Sequence, residues 1–162
     1  LEPIKTMGGI SITPECSISD IEFKKGDILV LPGADTWMNE ENNIILSKLS
    51  AILKTGVIIA AICGATAALA QKGLLDQRKH TSNDKEYLKM FCPEYKGSSQ
   101  YVEAPVVVDD NLITATGLAP LKFSYELFKK IKAMKEDVLE AWYQLFQTRD
   151  KNYFYRLMEL TQ

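Results

Sequence analysis

Histidine is nearly missing from this chain, which has only one, His80, among its 162 residues. A single histidine excludes a multi-histidine metal cage, and the three cysteines lie too far apart for the Cys-x-x-Cys spacing of a structural zinc site. The cysteines, Cys16, Cys63 and Cys92, fit reduced thiols in the cytoplasm better than a disulfide framework, because the set is odd and widely spaced. We therefore expect a cytoplasmic protein with neither a bound metal nor a cofactor.

Long apolar runs and a strong charge of either sign are missing as well. No apolar run approaches the roughly 20 residues of a membrane span. The net charge of −2 predicts no basic surface for nucleic acid or for an anionic membrane. The length of 162 residues, without repeats or linkers, predicts a single domain. With nucleic acid and membrane excluded as partners, we expect a small-molecule substrate or an oxidant as the partner.

A short apolar stretch that ends at Cys63 is the part of the chain with the pattern of a reactive site. Residues 57–62 have the length and β-branching of a buried strand, and alanine-rich, helix-forming sequence follows the cysteine directly. Ala61 and Ala65 supply the small flanking residues of a nucleophile elbow, where bulkier side chains would collide across the sharp turn. The sulfur would then lie over free N–H groups at the helix start, which favour a thiolate. The alternative is a small residue of the core.

Strand and helix patterns alternate along the chain. Alternation with short joints predicts βαβ units and a mostly parallel α/β sheet. From about residue 136 a helical extension is expected, whose aromatic stripes fit a core or a dimer interface better than a cofactor site. The pattern predicts strands at 27–31 and 57–62, a helix through 44–53, a short helix ending at 72–73, a candidate short strand at 78–82, a helix at 85–91, a β-hairpin of 101–108 with 112–116, and helices around 123–131, 138–146 and 153–158.

Two predicted strands end in turns that suit a site, since ligands of open α/β sheets bind at the carboxyl ends of strands. One turn contains Gly33 and Ala34, and the other is Cys63 with Gly64. If the two strands are neighbours, the amides of Ala34 and Gly64 converge beside the sulfur, as in an oxyanion hole. Trp37 follows the first turn and is either a wall of this pocket or a simple packing residue.

Six short motifs follow one another in an order that is specific as a set. They are Leu-Pro-Gly-Ala-Asp at 31–35, Ala-Ala-Ile-Cys-Gly-Ala at 60–65, Lys-Gly-Leu-Leu at 72–75, His-Thr-Ser at 80–82, Val-Val-Val-Asp with Asn-Leu-Ile-Thr-Ala at 106–115, and Thr-Gly-Leu-Ala-Pro at 116–120. Together they resemble the DJ-1/PfpI family of the class I glutamine amidotransferase-like superfamily, from about Glu2 to Met134. The resemblance implies a flavodoxin-like three-layer α/β/α sandwich with a mostly parallel sheet and a β-hairpin, a reactive cysteine at the elbow, and a homodimer.

The same resemblance implies that residues 1–162 form one family domain that is incomplete at its N-terminus. Family members begin with a strand and a helix, on the order of 30 residues, before the segment that matches residues 2–14. That unit carries the glutamate that hydrogen-bonds the reactive cysteine, so the acid partner of Cys63 is expected upstream of Leu1.

The sequence departs from the family pattern around the cysteine. Peptidase-like members have a histidine where this chain has Gly64, the second glycine of the Pro-Gly-Gly turn is Ala34, and Asn83 stands where some members carry a pocket histidine. His80 is the one available replacement for a base, but strand alternation places it on the face opposite Asn83, which favours a structural role. A positioned base contributes about 10²–10⁴-fold, so peptidase activity is not expected.

Three functions remain open on the sequence. The preferred one is a cysteine-dependent hydrolase or amidase, or a member that acts on small reactive carbonyl compounds. The second is a redox-responsive stress protein in which Cys63 oxidises to the sulfinate. The third is a binding or regulatory domain that has kept the fold and lost the chemistry.

Overall fold

The structure is a computed structural model that describes residues 1–162 and contains six strands and seven α-helices. The strands are β1 (Ile4–Lys5), β2 (Ser11–Ile12), β3 (Ile28–Leu31), β4 (Ile58–Ile62), β5 (Val106–Asp109) and β6 (Leu112–Ala115). The helices are α1 (Asn43–Leu46), α2 (Leu49–Lys54), α3 (Gly64–Gln71), α4 (Lys85–Phe91), α5 (Pro120–Ile131), α6 (Glu136–Thr148) and α7 (Lys151–Leu160). None of these helices is both long enough and apolar enough to cross a lipid bilayer.

The central sheet has four strands in the order β3–β4–β6–β5. β4 pairs in parallel with β3 on one side and with β6 on the other, so the strand that leads to Cys63 is an inner strand. β5 and β6 form the antiparallel hairpin that the sequence predicts, with Val108 opposite Ile113. The remaining pair, β1 and β2, forms a separate antiparallel ribbon.

Helices cover both faces of this sheet because β4 is apolar on both faces. Ile59 and Ala61 belong to a large core cluster with buried residues of α1, α2, α3 and α4. Ala60 points to the other face, where it packs in a smaller cluster with Phe123 and Leu127 of α5. The three layers confirm the predicted flavodoxin-like α/β/α sandwich with a mostly parallel sheet.

Three predicted elements differ from the structure. The first hairpin strand, predicted at 101–108, begins only at Val106, directly after Pro105, which has no N–H to donate to a ladder. The candidate strand at 78–82 does not form, and only one parallel bridge joins His80 to Tyr101. The reason is that the next amide, of Thr81, donates at 2.9 Å to the side-chain hydroxyl of Thr114 in β6 and not to a backbone carbonyl, so the bridge does not extend into a ladder. The predicted helix through 44–53 is interrupted between α1 and α2, where the N–H of Lys48 bonds three residues back to the Ile45 carbonyl.

Candidate functional site

Cys63 lies at a sharp turn between β4 and α3, where its backbone adopts φ 59° and ψ −128°. Side-chain-bearing residues rarely adopt a positive φ, and such strained positions cost of order 1–3 kcal/mol and cluster at functional sites. The surrounding structure holds the strained residue in place, since its N–H donates to the Ala115 carbonyl of β6 at 3.0 Å. The thiol itself is half-buried, so a small reagent can reach it.

A pair of buried hydroxyl groups supports the same turn from the α3 side. The N–H and the hydroxyl of Thr66 both donate to the Cys63 carbonyl, at 3.0 and 2.6 Å. Because a carbonyl can only accept, the Thr66 hydroxyl has used its one proton, and the Ser82 hydroxyl 2.7 Å away must donate to it. Thr66 and Ser82 are therefore supports of the elbow that were not recognised in the sequence.

Three glycines allow the backbone to approach the cysteine closely. A Cβ at Gly33 would lie 3.0 Å from the Cys63 Cβ, and a Cβ at Gly117 would lie 2.8 Å from Sγ. A Cβ at Gly64 would meet the carbonyl oxygen of Ala34 at only 2.3 Å. The two predicted turns are thus in contact, as the pairing of β3 with β4 requires.

Asn83 is the polar side chain that contacts the sulfur. Its Nδ2 lies 3.5 Å from the Cys63 Sγ, and its Oδ1 accepts a hydrogen bond from the Gly117 N–H at 2.9 Å. The sequence pointed to Asn83 only through its alignment with a family position. Gly117 was quoted within the Thr-Gly-Leu-Ala-Pro motif but was not singled out, and its glycine identity was the signal.

His80 is fully buried, and its hydrogen bonds are to core groups and not to the Cys63 sulfur. Its Nδ1 lies 2.7 Å from the Arg78 carbonyl, which can only accept, so Nδ1 carries the proton and Nε2 accepts from the Tyr95 hydroxyl at 2.5 Å. Burial lowers the pKa of His80, opposed in part by the Arg78 carbonyl and the charge of Asp76. Both ring nitrogens are engaged, which leaves neither one available as a base for Cys63.

Trp37 is also mostly buried, and its indole N–H donates to the Pro32 carbonyl at 2.7 Å. Its ring comes within 3.6 Å of the position a Cβ would take at Gly64, so it packs beneath the turn. Tyr87 of α4 lies on the same side, where burial and then the charges of Cys63, Cys92 and Asp35 raise the pKa of its phenol. Trp37 and Tyr87 together line a cavity of about 390 Å³ beside Gly64.

A smaller cavity opens directly over the cysteine, with a volume of about 260 Å³. A third cavity of about 450 Å³ begins at Asn83 and runs along the loops before β5 and after β6. No three histidine, cysteine, aspartate or glutamate side chains come together as they would to hold a metal ion. The cavity over Cys63 is lined by Met7, Gly33, Ala34, Asp35, Ile62, Cys63 and Gly117.

Comparison with known proteins gives the family. The sequence profile of the DJ-1/PfpI family matches residues 1–130. The chain belongs to the DJ-1/PfpI family. The family that the six motifs suggested is thereby confirmed.

Individual DJ-1/PfpI relatives are similar over most of the chain. A Bacillus subtilis protein named uncharacterized protease YoaZ is 46% identical over 157 residues, which cover 97% of this chain and 75% of that protein. A crystal structure of a thiJ/pfpI family protein from Bacillus anthracis is 49% identical, with a TM-score of 0.96 over 98% of this chain and 75% of the other. A Caenorhabditis elegans protein named glutathione-independent glyoxalase DJR-1.2 is 29% identical and covers 72% of this chain and 60% of its own length.

Proposed function

We propose that this chain is the domain of a cysteine-dependent enzyme in which Cys63 attacks the carbonyl carbon of a small substrate, as in a hydrolase or an amidase. The observation that supports it most is the half-buried Cys63 thiol at a strained strand-to-helix turn, with an amide donor 3.5 Å from its sulfur and a cavity above it. That cavity of about 260 Å³ is smaller than the roughly 300–1,000 Å³ of drug-sized ligand sites, which favours a small substrate.

The proposed chemistry begins with the Cys63 thiolate. Its sulfur forms a bond to the carbonyl carbon while the carbonyl π electrons move to the oxygen, and the amides of Ala34 and Gly64 are the proposed donors to that oxyanion. With an aldehyde, the oxyanion takes up a proton and a hemithioacetal results. With a 2-oxoaldehyde such as methylglyoxal, the proton on the hemithioacetal carbon then moves to the neighbouring carbonyl carbon, whose oxygen becomes a hydroxyl, and water hydrolyses the resulting thioester to a 2-hydroxy acid and the free thiol. With an amide, the C–N bond breaks, the nitrogen leaves with a proton, and water then hydrolyses the thioester.

Reactive carbonyl compounds fit this site better than unactivated peptides. Expulsion of an amine needs a proton donor, and a positioned acid or base contributes about 10²–10⁴-fold. His80 is committed to Arg78 and Tyr95, and a histidine at position 64 would collide with the Ala34 carbonyl. The glyoxalase name of the C. elegans relative also favours a small dicarbonyl substrate.

The test is Cys63-dependent consumption of methylglyoxal, measured beside a glutamine-like amide and an unactivated peptide. We expect turnover of methylglyoxal, abolished by Cys63→Ser and retained by Cys16→Ser, which changes an exposed thiol outside the site. Peptide hydrolysis should be negligible. Equal methylglyoxal loss with wild-type protein and Cys63→Ser would refute the enzymatic proposal.

A redox role for the same thiol is the second candidate, because the donor that faces Sγ would also bind an oxidised sulfur. One peroxide converts the thiolate to the sulfenate with release of water, and a second gives the sulfinate. Mass spectrometry should then find two added oxygens on Cys63 before any are found on Cys16 or Cys92. Failure of both the carbonyl and the peroxide assays would leave the non-catalytic binding domain as the best description.

Location and assembly remain proposals of the same kind. We propose a cytoplasmic homodimer, and the exposed apolar side chains of Met7 and Leu118 near the cysteine would give a second copy apolar surface to bury. Light scattering on the eluting peak of a size-exclusion column measures the mass directly and would show a monomer if this proposal fails.

A further inference from the structure

The orientation of the Asn83 side-chain amide is fixed by chemistry. The Gly117 N–H can only donate, so the Asn83 atom 2.9 Å from it must be the acceptor oxygen. The NH₂ group therefore faces the Cys63 sulfur, 3.5 Å away. An amide NH₂ donates hydrogen bonds and takes up no proton at neutral pH, so Asn83 interacts more favourably with a thiolate than with a thiol.

The chain segment that carries Asn83 is held on both sides. The Thr81 N–H donates to the Thr114 hydroxyl at 2.9 Å, and the Thr81 hydroxyl donates to the Ala104 carbonyl at 2.7 Å. The next residue, Ser82, is buried and donates to Thr66, which itself holds the Cys63 carbonyl. The amide of Asn83 is thus positioned by the same network that holds the elbow.

We propose that Asn83 is a catalytic residue that keeps Cys63 in the thiolate form by donating a hydrogen bond to its sulfur. The inference rests on the proposed function, because it assigns a role within that reaction. Within residues 1–162, the titratable groups around the sulfur are Asp35 at the cavity wall and Tyr87 on α4, and neither supplies a positive charge that would stabilise the thiolate instead. Glu103 lines the cavity that begins at Asn83, which does not include Cys63, and His80 is hydrogen-bonded to Tyr95.

Asn83 does not transfer protons to or from the sulfur. A histidine at this position could both donate and accept a proton, whereas Asn83 can only stabilise a charge that is already on the sulfur. The thiolate is then ready for attack without a proton transfer, and the later steps receive no acid–base help from this residue. Reactivity of Cys63 should therefore depend on Asn83 most strongly near neutral pH, where a thiol without such a donor is mostly protonated.

The experiment compares the rate at which Cys63 displaces iodide from iodoacetamide at pH 7 and at pH 9.5, by timed labelling and peptide mapping. Asn83→Asp keeps an oxygen for the Gly117 N–H and turns a carboxylate oxygen toward the sulfur. We expect labelling at least about tenfold slower at pH 7, the loss typical of one hydrogen bond to a charged group, and within about threefold of wild type at pH 9.5. Asn152→Asp makes the same chemical change in the first turn of α7 and should leave both rates unchanged.

A second variant separates the effect of losing the NH₂ donor on the labelling rate from the effect of the added negative charge. Asn83→Ala should also slow labelling at pH 7 more than at pH 9.5, and thermal unfolding of each variant shows whether it has folded. Equal losses at both pH values, an unchanged rate at pH 7, or an effect of Asn83→Asp without one of Asn83→Ala would each overturn the role of Asn83. The readout needs no substrate, so Asn83-dependent labelling without turnover of either methylglyoxal or the glutamine-like amide would refute the proposed enzyme and leave the effect of Asn83 on the thiolate in place.

Discussion

In the family pattern described above, peptidase-like members have a histidine where this chain has Gly64. We predict that Gly64→His gives this chain no peptidase activity and destabilises it. A Cβ at position 64 would lie 2.3 Å from the Ala34 carbonyl oxygen, where ordinary contact begins at 3.4 Å. The carbonyl belongs to the backbone of the turn after β3, so about 1.1 Å of main-chain movement is needed rather than a change of rotamer. That movement displaces the proposed oxyanion hole.

The expected loss of stability follows from two opposing effects. Overpacking of this kind costs typically about 1–3 kcal/mol, and a backbone obstacle puts Gly64→His at the upper end, about 3 kcal/mol. Alanine has a helix propensity about 1 kcal/mol better than glycine, so Gly64→Ala should lose only about 2 kcal/mol. Each kcal/mol lowers the melting temperature of a domain of this size by about 2–4 °C.

Differential scanning calorimetry and the methylglyoxal and peptide assays measure these effects together. We expect a melting temperature lower by about 4–8 °C for Gly64→Ala and by about 6–12 °C for Gly64→His, following the same scale. Both variants should lose activity, and neither should hydrolyse an unactivated peptide. A Gly64→His protein with unchanged melting temperature and Cys63-dependent peptidase activity would refute the steric argument and the exclusion of a base.

Two further predictions concern the buried histidine and the three thiols. Burial lowers the pKa of His80 in the folded protein from its ordinary value of 6.5, so the unfolded chain binds the imidazole proton more tightly than the folded one. The free energy of unfolding should therefore fall as the pH drops from 7 to 5. In urea unfolding, His80→Gln should show a smaller pH dependence over this range, and an identical slope would contradict it. Iodoacetamide should label Cys63 first, Cys16 next and Cys92 last, because burial raises the pKa of Cys92 and its Sγ donates to the Ala67 carbonyl. Labelling of Cys16 or Cys92 before Cys63 would contradict the proposal that the elbow holds the most reactive thiol.

The elbow could be predicted from the sequence because its requirements are local. A β-branched run, a cysteine, small flanking residues and an alanine-rich helix are consecutive, and the positive φ of Cys63 is the conformation that such a turn needs. The contact between the turn at Ala34 and the turn at Gly64 followed from the assumption that two neighbouring parallel strands end side by side. The pairing of β3 with β4 bears that assumption out.

The remaining parts of the site depend on contacts between distant segments. The hydrogen bond between Ser82 and Thr66 spans 16 residues and the one between Asn83 and Gly117 spans 34, so no local sequence pattern predicts either of them. The segment at 78–82 was only a candidate short strand on the sequence. Its amides and hydroxyls bond instead to side chains and loops, as the Thr81 to Thr114 bond shows, and this choice is made only in the folded protein.

The central position of β4 also decides when the site is lost on heating. The Cys63 amide donates to the Ala115 carbonyl of the neighbouring strand, and the three central residues of β4, 59–61, are fully buried. Such amides exchange with solvent deuterium only when the whole cooperative unit opens. α7, by contrast, has no fully buried side chain and can fray alone. Thermal inactivation should therefore coincide with global unfolding, while exchange at the C-terminal helix begins well before it.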